Sequence, residues 1–198
     1  RDSVASRGLG DVYKRQVVIL AGGQGSRMGG EDKGLIKFRK LPLIAHVVNI
    51  VKPKVNRILI SANRSLDEYS EYGEVISDDL TGFQGPLAGI SKALKVCTSE
   101  YLLVLPCDSP LIDVELIDEL ILGLEESKAD ICVAHDGSIM HATFALLRSN
   151  LQTSLEKFLD DGGRKMALWY RQHSLERINV SDKLEVLTNL NSPEDLNI

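Results

Sequence analysis

A glycine-rich loop near the start of the chain carries the side chains best suited to phosphate chemistry. Residues 17–34 read VVILAGGQGSRMGGEDKG, an apolar run that leads into glycines and ends in Arg27 and the pair Asp32 and Lys33. Glycine lets an anion approach backbone N–H groups closely, and it adopts conformations that other residues adopt only with strain. The two cations supply the positive charge that a polyphosphate requires. The loop therefore indicates a binding site for a nucleoside triphosphate.

The spacing of this loop differs from the two commonest phosphate-binding motifs. Lys33 is followed by Gly34, so the hydroxyl that holds a metal ion in a P-loop is missing. Gly23, Gly25 and Gly29 miss the register of a dinucleotide-binding fingerprint by one residue. The alternative is a flexible linker between a strand and a helix, and it leaves the cations unexplained.

Asp108 is the best candidate for a metal ligand. It directly follows the apolar run YLLVLPC, which predicts a buried strand, so its carboxylate is held at a rigid strand end. Mg²⁺ prefers carboxylate and phosphate oxygens and keeps several waters, so one carboxylate and a triphosphate suffice. A turn former or helix cap is the alternative for an aspartate in this position. Because nucleotidyl transfer relies on charge stabilisation, we predict a catalytic set of Asp108, Lys33 and Arg27.

The apolar patterns predict alternating strands and helices that position these side chains. Strands are predicted at 17–20, 57–62, 74–76, 101–105, 129–134 and 143–147. Helices are predicted at 43–51, 65–72, 85–96, 113–127, 151–159 and 165–171, with a further helix beginning at Ser192. This order predicts a single-domain α/β fold, with a mostly parallel twisted sheet and helices on both faces. Ligands of such sheets bind at the carboxyl ends of the strands, where residues 22–33, 61–64 and 107–110 should converge.

The composition excludes several classes of protein. At 198 residues with a net charge of −5, the chain is long enough for one full core and too acidic for non-specific nucleic-acid binding. Its apolar runs are too short to cross a bilayer, which takes about 20 apolar residues. Three cysteines without C-x-x-C spacing indicate neither a disulfide framework nor a structural zinc site. We therefore expect a cytoplasmic protein with no nucleic-acid partner and no membrane association.

The first 16 residues, RDSVASRGLGDVYKRQ, do not share the pattern of the rest. They show neither the apolar core of a signal peptide nor the periodicity of a helix or strand. We expect residues 1–16 to be a non-native or disordered extension and residues 17–198 to form the domain.

Beyond the single loop, the chain is similar to a known family. The stretch L-A-G-G-x-G-S-R-M-G-x-x-D-K closely resembles the signature loop of pyrophosphorylase-type nucleotidyltransferases, and its extension is similar to the molybdenum cofactor guanylyltransferases. Further matching segments are SANR at 61–64, SDDL at 77–80, GPLAG at 85–89, PCDSP at 106–110 and NLNSPEDL at 189–196. The resemblance implies a Rossmann-like nucleotidyltransferase fold. It also implies an enzyme that binds Mg²⁺ and GTP and transfers GMP to molybdenum-bound molybdopterin, forming the molybdopterin guanine dinucleotide and releasing pyrophosphate.

The resemblance also implies a set of nucleotide-binding residues. These are Leu20, Ala21, Gly22, Gly23, Lys33, Ser61, Asp78, Gly85, Gly89 and Asp108. Family members often carry asparagine where this chain has Ser61, so the chain departs from the family pattern there. A carboxylate at Asp78 accepts the N1–H and the exocyclic N–H of guanine, a pattern that adenine and cytosine do not donate. If the alignment with the family is shifted by one residue, Asp79 instead of Asp78 is the base reader. The alternative without a binding role is that both residues form a solvated acidic turn.

Candidates for contact with the second substrate lie later in the chain. The segment D-G-x-x-x-H ending in His141 resembles a family segment that faces the acceptor, although the proline that usually follows is absent here. Arg164 and Lys165 are candidates for the pterin phosphate, or they form an exposed basic turn. Asn189 and Asn191 help to hold metal and phosphates, or they order the turn before the last helix.

Two alternative functions fit the same residues. A sister enzyme would use the same loop with another base or acceptor, as in a pterin cytidylyltransferase or a sugar-phosphate nucleotidyltransferase. A nucleotide-binding module without turnover is the alternative from another class, and the presence of Asp108, Lys33 and Arg27 together argues against it. The resemblance further implies transient contacts with other cofactor-biosynthesis proteins and with the molybdoenzymes that receive the product.

Overall fold

A buried strand, β1, lies inside the sheet on which the rest of the fold is built. The structure, a computed structural model, describes residues 12–22, 32–77 and 85–197. In chain order the strands are β1 Arg15–Leu20, β2 Lys37–Phe38, β3 Leu41–Pro42, β4 Arg57–Ser61, β5 Glu74–Ile76, β6 Tyr101–Pro106, β7 Ile131–His135, β8 Met140–Arg148 and β9 Leu175–Asn179. The α-helices are α1 Leu43–Val51, α2 Leu66–Ser70, α3 Pro86–Val96, α4 Val114–Ser127, α5 Gln152–Asp160 and α6 Met166–Tyr170. Short 3-10 helices lie at Lys33–Leu35, Ser149–Leu151, Leu184–Leu187 and Pro193–Asn197.

The main sheet is mostly parallel. Its strand order is β5-β4-β1-β6-β8-β7-β9. β1 pairs in parallel with β4 and β6, β4 pairs in parallel with β5, and β7 pairs in parallel with β9. β8 runs antiparallel to both β6 and β7. The predicted α/β fold with a mostly parallel sheet is therefore confirmed.

Helices cover both faces of this sheet, as the sequence predicts. On one face, Val17 and Ile19 of β1 pack in a cluster with apolar residues of α1 and α4. On the other face, Val18 packs in a cluster with residues of α3, α5 and α6. Because successive strand residues point to opposite faces, an uninterrupted apolar strand fills both halves of the core. Within the described parts of the chain, none of the helices combines the length and apolar character that a bilayer crossing requires.

A small second sheet, formed by β2 and β3, was not predicted from the sequence. The two strands pair antiparallel and are joined by Arg39 and Lys40, which have φ angles of 46° and 75°. Such a turn usually contains asparagine or glycine, because these residues adopt positive φ angles most easily. Because neither residue occurs here, the sequence carries no signal for this hairpin.

The last predicted helix begins where expected but is a 3-10 helix, Pro193–Asn197. An acidic side chain caps its start: Oδ2 of Asp195 accepts the backbone N–H of Asn191 at 2.7 Å and that of Ser192 at 2.9 Å. These backbone hydrogen bonds lower the pKa of Asp195, because they favour the charged carboxylate. The 3-10 geometry is used in short pieces, and this segment of five residues is longer than most.

The start of β1 differs from the expected domain boundary. The strand begins at Arg15, and Gln16 is almost fully buried and donates from Nε2 to the hydroxyl of Thr98 at 2.7 Å. The boundary placed after residue 16 therefore falls inside the strand. The reason is that backbone pairing needs no apolar side chain, and the neighbouring strands already run beside these two residues. The predicted nature of residues 1–11 lies outside the described residues.

We predict that a chain beginning at Val17 is less stable than a chain beginning at Val12. The shorter chain loses the strand pairs of Arg15 and Gln16 and the hydrogen bond to Thr98. We therefore expect its free energy of unfolding to be lower by about 1 kcal/mol or more. Urea denaturation measures the difference, and the longer chain is the matched control because it keeps all of β1. Identical unfolding curves would contradict the packing role of these two residues.

Candidate active site

The carboxyl ends of β1, β4 and β6 lie side by side. Leu20 is opposite Ser61 on one side and opposite Pro106 on the other. Backbone hydrogen bonds continue past the strand ends: the N–H of Ala21 donates to the carbonyl oxygen of Ser61 at 2.9 Å, and the N–H of Cys107 donates to that of Leu20 at 3.1 Å. The predicted convergence of the three segments is therefore present for the residues that the structure describes.

An ion pair between Lys33 and Asp108 lies at this edge of the sheet. The Nζ atom of Lys33 contacts Oδ2 of Asp108 and also donates to Oδ1 of Asn191 at 2.5 Å. Both charged side chains are largely buried, with 19% of Lys33 and 13% of Asp108 exposed. The loop lysine, the strand-end aspartate and the C-terminal segment thus meet at one point.

The second carboxylate oxygen of Asp108 is available for a ligand. Oδ1 is buried and has no hydrogen-bond partner among the described residues. A buried oxygen without a donor is costly, so such atoms often mark a functional site. The carboxylate itself is held firmly, because the strand before it is buried and the backbone N–H of Leu190 donates to the carbonyl oxygen of Asp108 at 2.9 Å. This arrangement suits a hard cation such as Mg²⁺, which takes carboxylate oxygens as ligands.

The two asparagines near the C-terminus have different surroundings. Oδ1 of Asn189 accepts a hydrogen bond from the hydroxyl of Ser109 at 2.5 Å, which ties the segment to the residue after Asp108. Asn191 donates from Nδ2 to the carbonyl oxygen of Asn189 at 3.1 Å and presents its own Oδ1 to Lys33. Asn189 therefore orders the turn, whereas Asn191 contacts a predicted catalytic side chain.

Asp32 has a role in the structure that sequence reasoning did not assign. Its side chain is only 5% exposed, and Oδ2 accepts from Nε of Arg64 at 3.1 Å. Oδ1 accepts from the hydroxyl of Tyr69. The position directly before Lys33 was a signal for Asp32. Nothing in the sequence indicated that Tyr69, on a short helix, would reach it.

Two glycines near Ser61 have distinct reasons to be glycine. Gly89 lies in α3 so close to Ser61 that an added Cβ atom would collide with the serine hydroxyl and lie 2.9 Å from its Cβ. Gly85 precedes α3 with a φ angle of 74°, and a Cβ atom there would meet nothing within 4 Å. Gly89 is therefore required for close packing, whereas Gly85 is required for its backbone conformation. Ser61 itself is buried, and its carbonyl oxygen lies 3.9 Å from where a Cβ on Gly22 would be.

Cys107 is buried beside Asp108 and does not have the properties of a nucleophile. Burial raises the pKa of its thiol, and the negative charge of Asp108 raises it further. A thiol in this state stays protonated, and the thiolate is the reactive form. Cys107 therefore acts as a small buried residue of the core.

Two of the residues predicted to contact the second substrate make contacts within the protein. Nε2 of His141 lies 2.8 Å from Oδ2 of Asp136, and its ring meets Phe144 edge-on. Arg164 donates from Nη1 to the carbonyl oxygens of Leu159 at 2.8 Å and of its neighbour Gly163 at 2.6 Å. This guanidinium nitrogen therefore satisfies carbonyl groups at the end of α5.

Three of the predicted site residues, Gly23, Arg27 and Asp78, lie outside the described residues, as does Asp79. Their roles stay predictions. Leu20, Ala21, Gly22, Lys33, Ser61, Gly85, Gly89 and Asp108 are all described, and the contacts above place Lys33 against Asp108 and Ser61 against Gly89.

The chain matches known proteins over most of its length. Residues 17–177 match the family model of the MobA-like NTP transferase domain. The chain is 43% identical over 178 residues to the molybdenum cofactor guanylyltransferase of Shewanella sediminis, which covers 89% of this chain and 91% of that protein. It is also 43% identical to the protein of the same name from Shewanella halifaxensis, with 89% of each chain covered. Among solved structures, it is similar to molybdopterin-guanine dinucleotide biosynthesis protein A from Archaeoglobus fulgidus, with a TM-score of 0.77 and 23% identity over 92% of this chain and 95% of that one.

The region matched by the family model contains the central part of the site. It runs from Val17 in β1 to Arg177 in β9 and includes Lys33 and Asp108. Because this match covers most of the chain and relatives share 43% of the aligned residues, the chain belongs to the MobA-like NTP transferase domain family and is a nucleotidyltransferase.

Proposed function

We propose that this protein transfers GMP from GTP to molybdenum-bound molybdopterin, which forms the molybdopterin guanine dinucleotide and releases pyrophosphate. The observation that carries the proposal is the meeting of Lys33, Asp108 and Asn191 at the strand ends, in a chain 43% identical to molybdenum cofactor guanylyltransferases. A cation beside a rigid carboxylate suits a reaction between two polyanions, because the main obstacle is charge repulsion. The high identity to guanylyltransferases favours guanine over another base.

The transfer itself requires little covalent chemistry from the protein. An oxygen of the acceptor's terminal phosphate attacks the α-phosphorus of GTP, and the bond from that phosphorus to the bridging oxygen breaks. The bridging oxygen keeps the electron pair and leaves as part of pyrophosphate. Because the attacking phosphate is already ionised, no general base is needed. The protein then contributes by aligning the two substrates and by balancing charge.

Lys33 is proposed to balance the negative charge that develops on the departing pyrophosphate. Its ammonium group already lies at the strand ends, where Asp108 and Asn191 hold it. Arg27, from the same loop, is proposed as a second phosphate contact. Cations that act on the transition state in this way account for much of the catalysis in phosphoryl and nucleotidyl transfer.

Asp108 is proposed to hold Mg²⁺ through its carboxylate. Among the residues that the structure describes, His, Cys, Asp and Glu do not form a cluster of three that is suited to a metal ion. The triphosphate and water would therefore supply most of the ligand oxygens, as is usual for Mg²⁺ in nucleotide sites. Bound Mg²⁺ would neutralise part of the triphosphate charge.

Asp78 is proposed to read the guanine base, with Asp79 as the alternative. Both follow Ser77, whose hydroxyl donates to the carbonyl oxygen of Ala62 at 3.2 Å. The N–H of Ala62 in turn donates to the carbonyl oxygen of Ile76 at 3.1 Å. Ser77, the residue before the proposed base reader, is thus anchored just after the end of β4, and β4 pairs with β1. The remaining members of the proposed nucleotide-binding set are Leu20, Ala21, Gly22, Gly23, Ser61, Gly85 and Gly89.

The proposed setting is the cytoplasm, where a cofactor-biosynthesis enzyme would meet its partners. The three cysteines are free thiols, and two of them, Cys107 and Cys132, are buried. Reduced thiols are typical of a reducing compartment. Other cofactor-biosynthesis proteins and the molybdoenzymes that receive the product are proposed as transient partners.

GTP is expected to raise the melting temperature more than CTP, ATP or UTP, each with Mg²⁺. A ligand that binds only the folded state stabilises it, by about 2.7 kcal/mol at a free concentration of 100 Kd. Asp78→Asn should abolish the preference for GTP, because the amide replaces an acceptor with a donor. Asp79→Asn is the matched control and should keep the preference; the reverse result would assign Asp79 as the base reader. A shift with CTP as large as that with GTP would refute guanine selectivity.

Asp108→Asn is expected to keep the fold and to lose turnover. The change preserves size and shape but removes the charge that a metal ligand needs. A loss of about 3 kcal/mol of transition-state stabilisation corresponds to a rate loss of roughly a hundredfold. Pyrophosphate release across a magnesium titration, together with the melting temperature, measures both effects.

The matched control for this experiment is Asp113→Asn. Asp113 caps α4 by accepting the backbone N–H of Leu116 at 2.7 Å, and asparagine caps helices about equally well. This variant should therefore retain both stability and turnover. A rate for Asp108→Asn close to that of the control would remove Asp108 from the mechanism.

A further inference from the structure

We propose that Tyr69 and Asp32 form a clamp that holds Lys33 where it can act on the triphosphate, which makes Tyr69 a positioning residue for the reaction. The Tyr69–Asp32 clamp consists of these two residues together with Arg64 and Gly34. The inference rests on the proposed function, because the position of Lys33 matters only if that lysine takes part in nucleotidyl transfer.

The first part of the argument concerns the Asp32 carboxylate. It is almost completely buried, and each of its oxygens has a partner. Tyr69 donates its hydroxyl to Oδ1, and Arg64 donates from Nε to Oδ2 at 3.1 Å. Both partners come from the segment after β4, so the carboxylate ties Asp32, the residue before Lys33, to that segment. The positive charge of Arg64 also offsets the negative charge of Asp32, so Asp32 repels a bound polyanion less strongly.

The second part concerns the backbone around Lys33. Asp32 is the residue from which the 3-10 helix Lys33–Leu35 starts, and its carbonyl oxygen accepts the N–H of Leu35 at 2.9 Å. The Asp32 side chain does not cap this helix. The carboxylate is therefore free to make its contacts with Tyr69 and Arg64. Fixing this side chain fixes the point from which Lys33 extends towards Asp108.

The third part concerns Gly34, on the other side of Lys33. This glycine is buried, and a Cβ atom there would lie 2.5 Å from the Tyr69 hydroxyl oxygen and 3.1 Å from the nearest ring carbon. The missing side chain is what allows the tyrosine to pass Gly34 and reach Asp32. Tyr69 thus packs against the backbone after Lys33 and hydrogen-bonds to the residue before it.

The state of the tyrosine fits this role. Tyr69 is fully buried, and burial raises the pKa of its hydroxyl, which therefore remains a hydrogen-bond donor. A tyrosine in the core packs with its ring, and its buried hydroxyl usually has a hydrogen-bond partner. Here the partner is the residue adjacent to the predicted catalytic lysine. The ring and the hydroxyl therefore contribute differently, and a change that removes only the hydroxyl separates their contributions.

Tyr69→Phe is that change, and Tyr101→Phe is its matched control. Tyr101 is also buried, but it lies at the amino end of β6, away from the site. We expect Tyr69→Phe to lower kcat for GTP-dependent pyrophosphate release by about tenfold with little change in KM, because misplacing a catalytic group slows the chemical step. The control should stay within about twofold of the wild type.

A second readout follows Lys33 directly and does not depend on the proposed reaction. Limited acetylation with an N-hydroxysuccinimide ester, quantified by mass spectrometry, compares the rate at Lys33 with that at the exposed Lys52. We expect Lys33 to react several-fold faster in Tyr69→Phe than in the wild type or in Tyr101→Phe, because its amine leaves Asp108 more often. If the wild type releases no pyrophosphate from GTP and the acceptor, the proposed function fails, and the acetylation rate alone decides on the clamp.

Gly34→Ala tests the same contact from the other side, and it carries the test if Tyr69→Phe fails to fold. Its new methyl group should displace the tyrosine, slow turnover and raise the acetylation rate of Lys33. The double variant should be little slower than either single variant, because both changes break one contact. Acetylation of Lys33 at the wild-type rate in both single variants would overturn the proposal.

Discussion

The contact between the ammonium group of Lys33 and the carboxylate of Asp108 joins parts of the chain that are far apart in sequence. Lys33 follows the loop after β1, Asp108 follows the end of β6, and Asn191 adds a contact from the C-terminal segment. None of these segments is held by this contact alone, because Asp108 also binds Leu190 through its backbone and Arg64 holds Asp32, the residue before the lysine. The ion pair can therefore form only when the sheet, the loop and the C-terminal segment are correctly assembled.

The contact with Lys33 pairs only one of the two Asp108 carboxylate oxygens, and the rest of the fold must offset the cost of the other. One oxygen of Asp108 is paired with Lys33, and the other is buried without a donor among the described residues. Such an oxygen costs stability, and it is tolerated because β6 is buried along its whole length between apolar residues on both faces. Apolar packing of the strand thus offsets the cost of a carboxylate oriented for a ligand. Conflicts between local stability and overall design are expected at functional sites.

Much of this arrangement could be predicted from the sequence, because it depends on local patterns. Unbroken apolar runs indicated β1 and β6, and the rule that ligands bind at strand ends placed Lys33 near Asp108. The parts that could not be predicted depend on contacts across long separations or on unusual backbone angles. In the sequence, Tyr69 is only an apolar position on a helix, and its contact with Asp32 arises from the tertiary fold. The turn at Arg39 and Lys40 lacks the asparagine or glycine that usually marks positive φ angles. The early start of β1 was missed because backbone pairing at Gln16 leaves no mark in side-chain periodicity.

The proposed roles separate charge handling from base selection. Lys33 and Asp108, which are proposed to act on phosphates, are supported by β1, β6 and the C-terminal segment. The proposed base reader follows Ser77, which bonds to Ala62 after β4. Because the proposed base reader and the ion pair follow different strands, a substitution at Asp78 is expected to change the preferred base and to leave the ion pair in place. Two members of the Tyr69–Asp32 clamp, Arg64 and Tyr69, lie on the segment that connects β4 to β5. If the clamp positions Lys33 as proposed, changes in that connection affect the chemistry as well as the base, which limits how freely this part of the fold can vary.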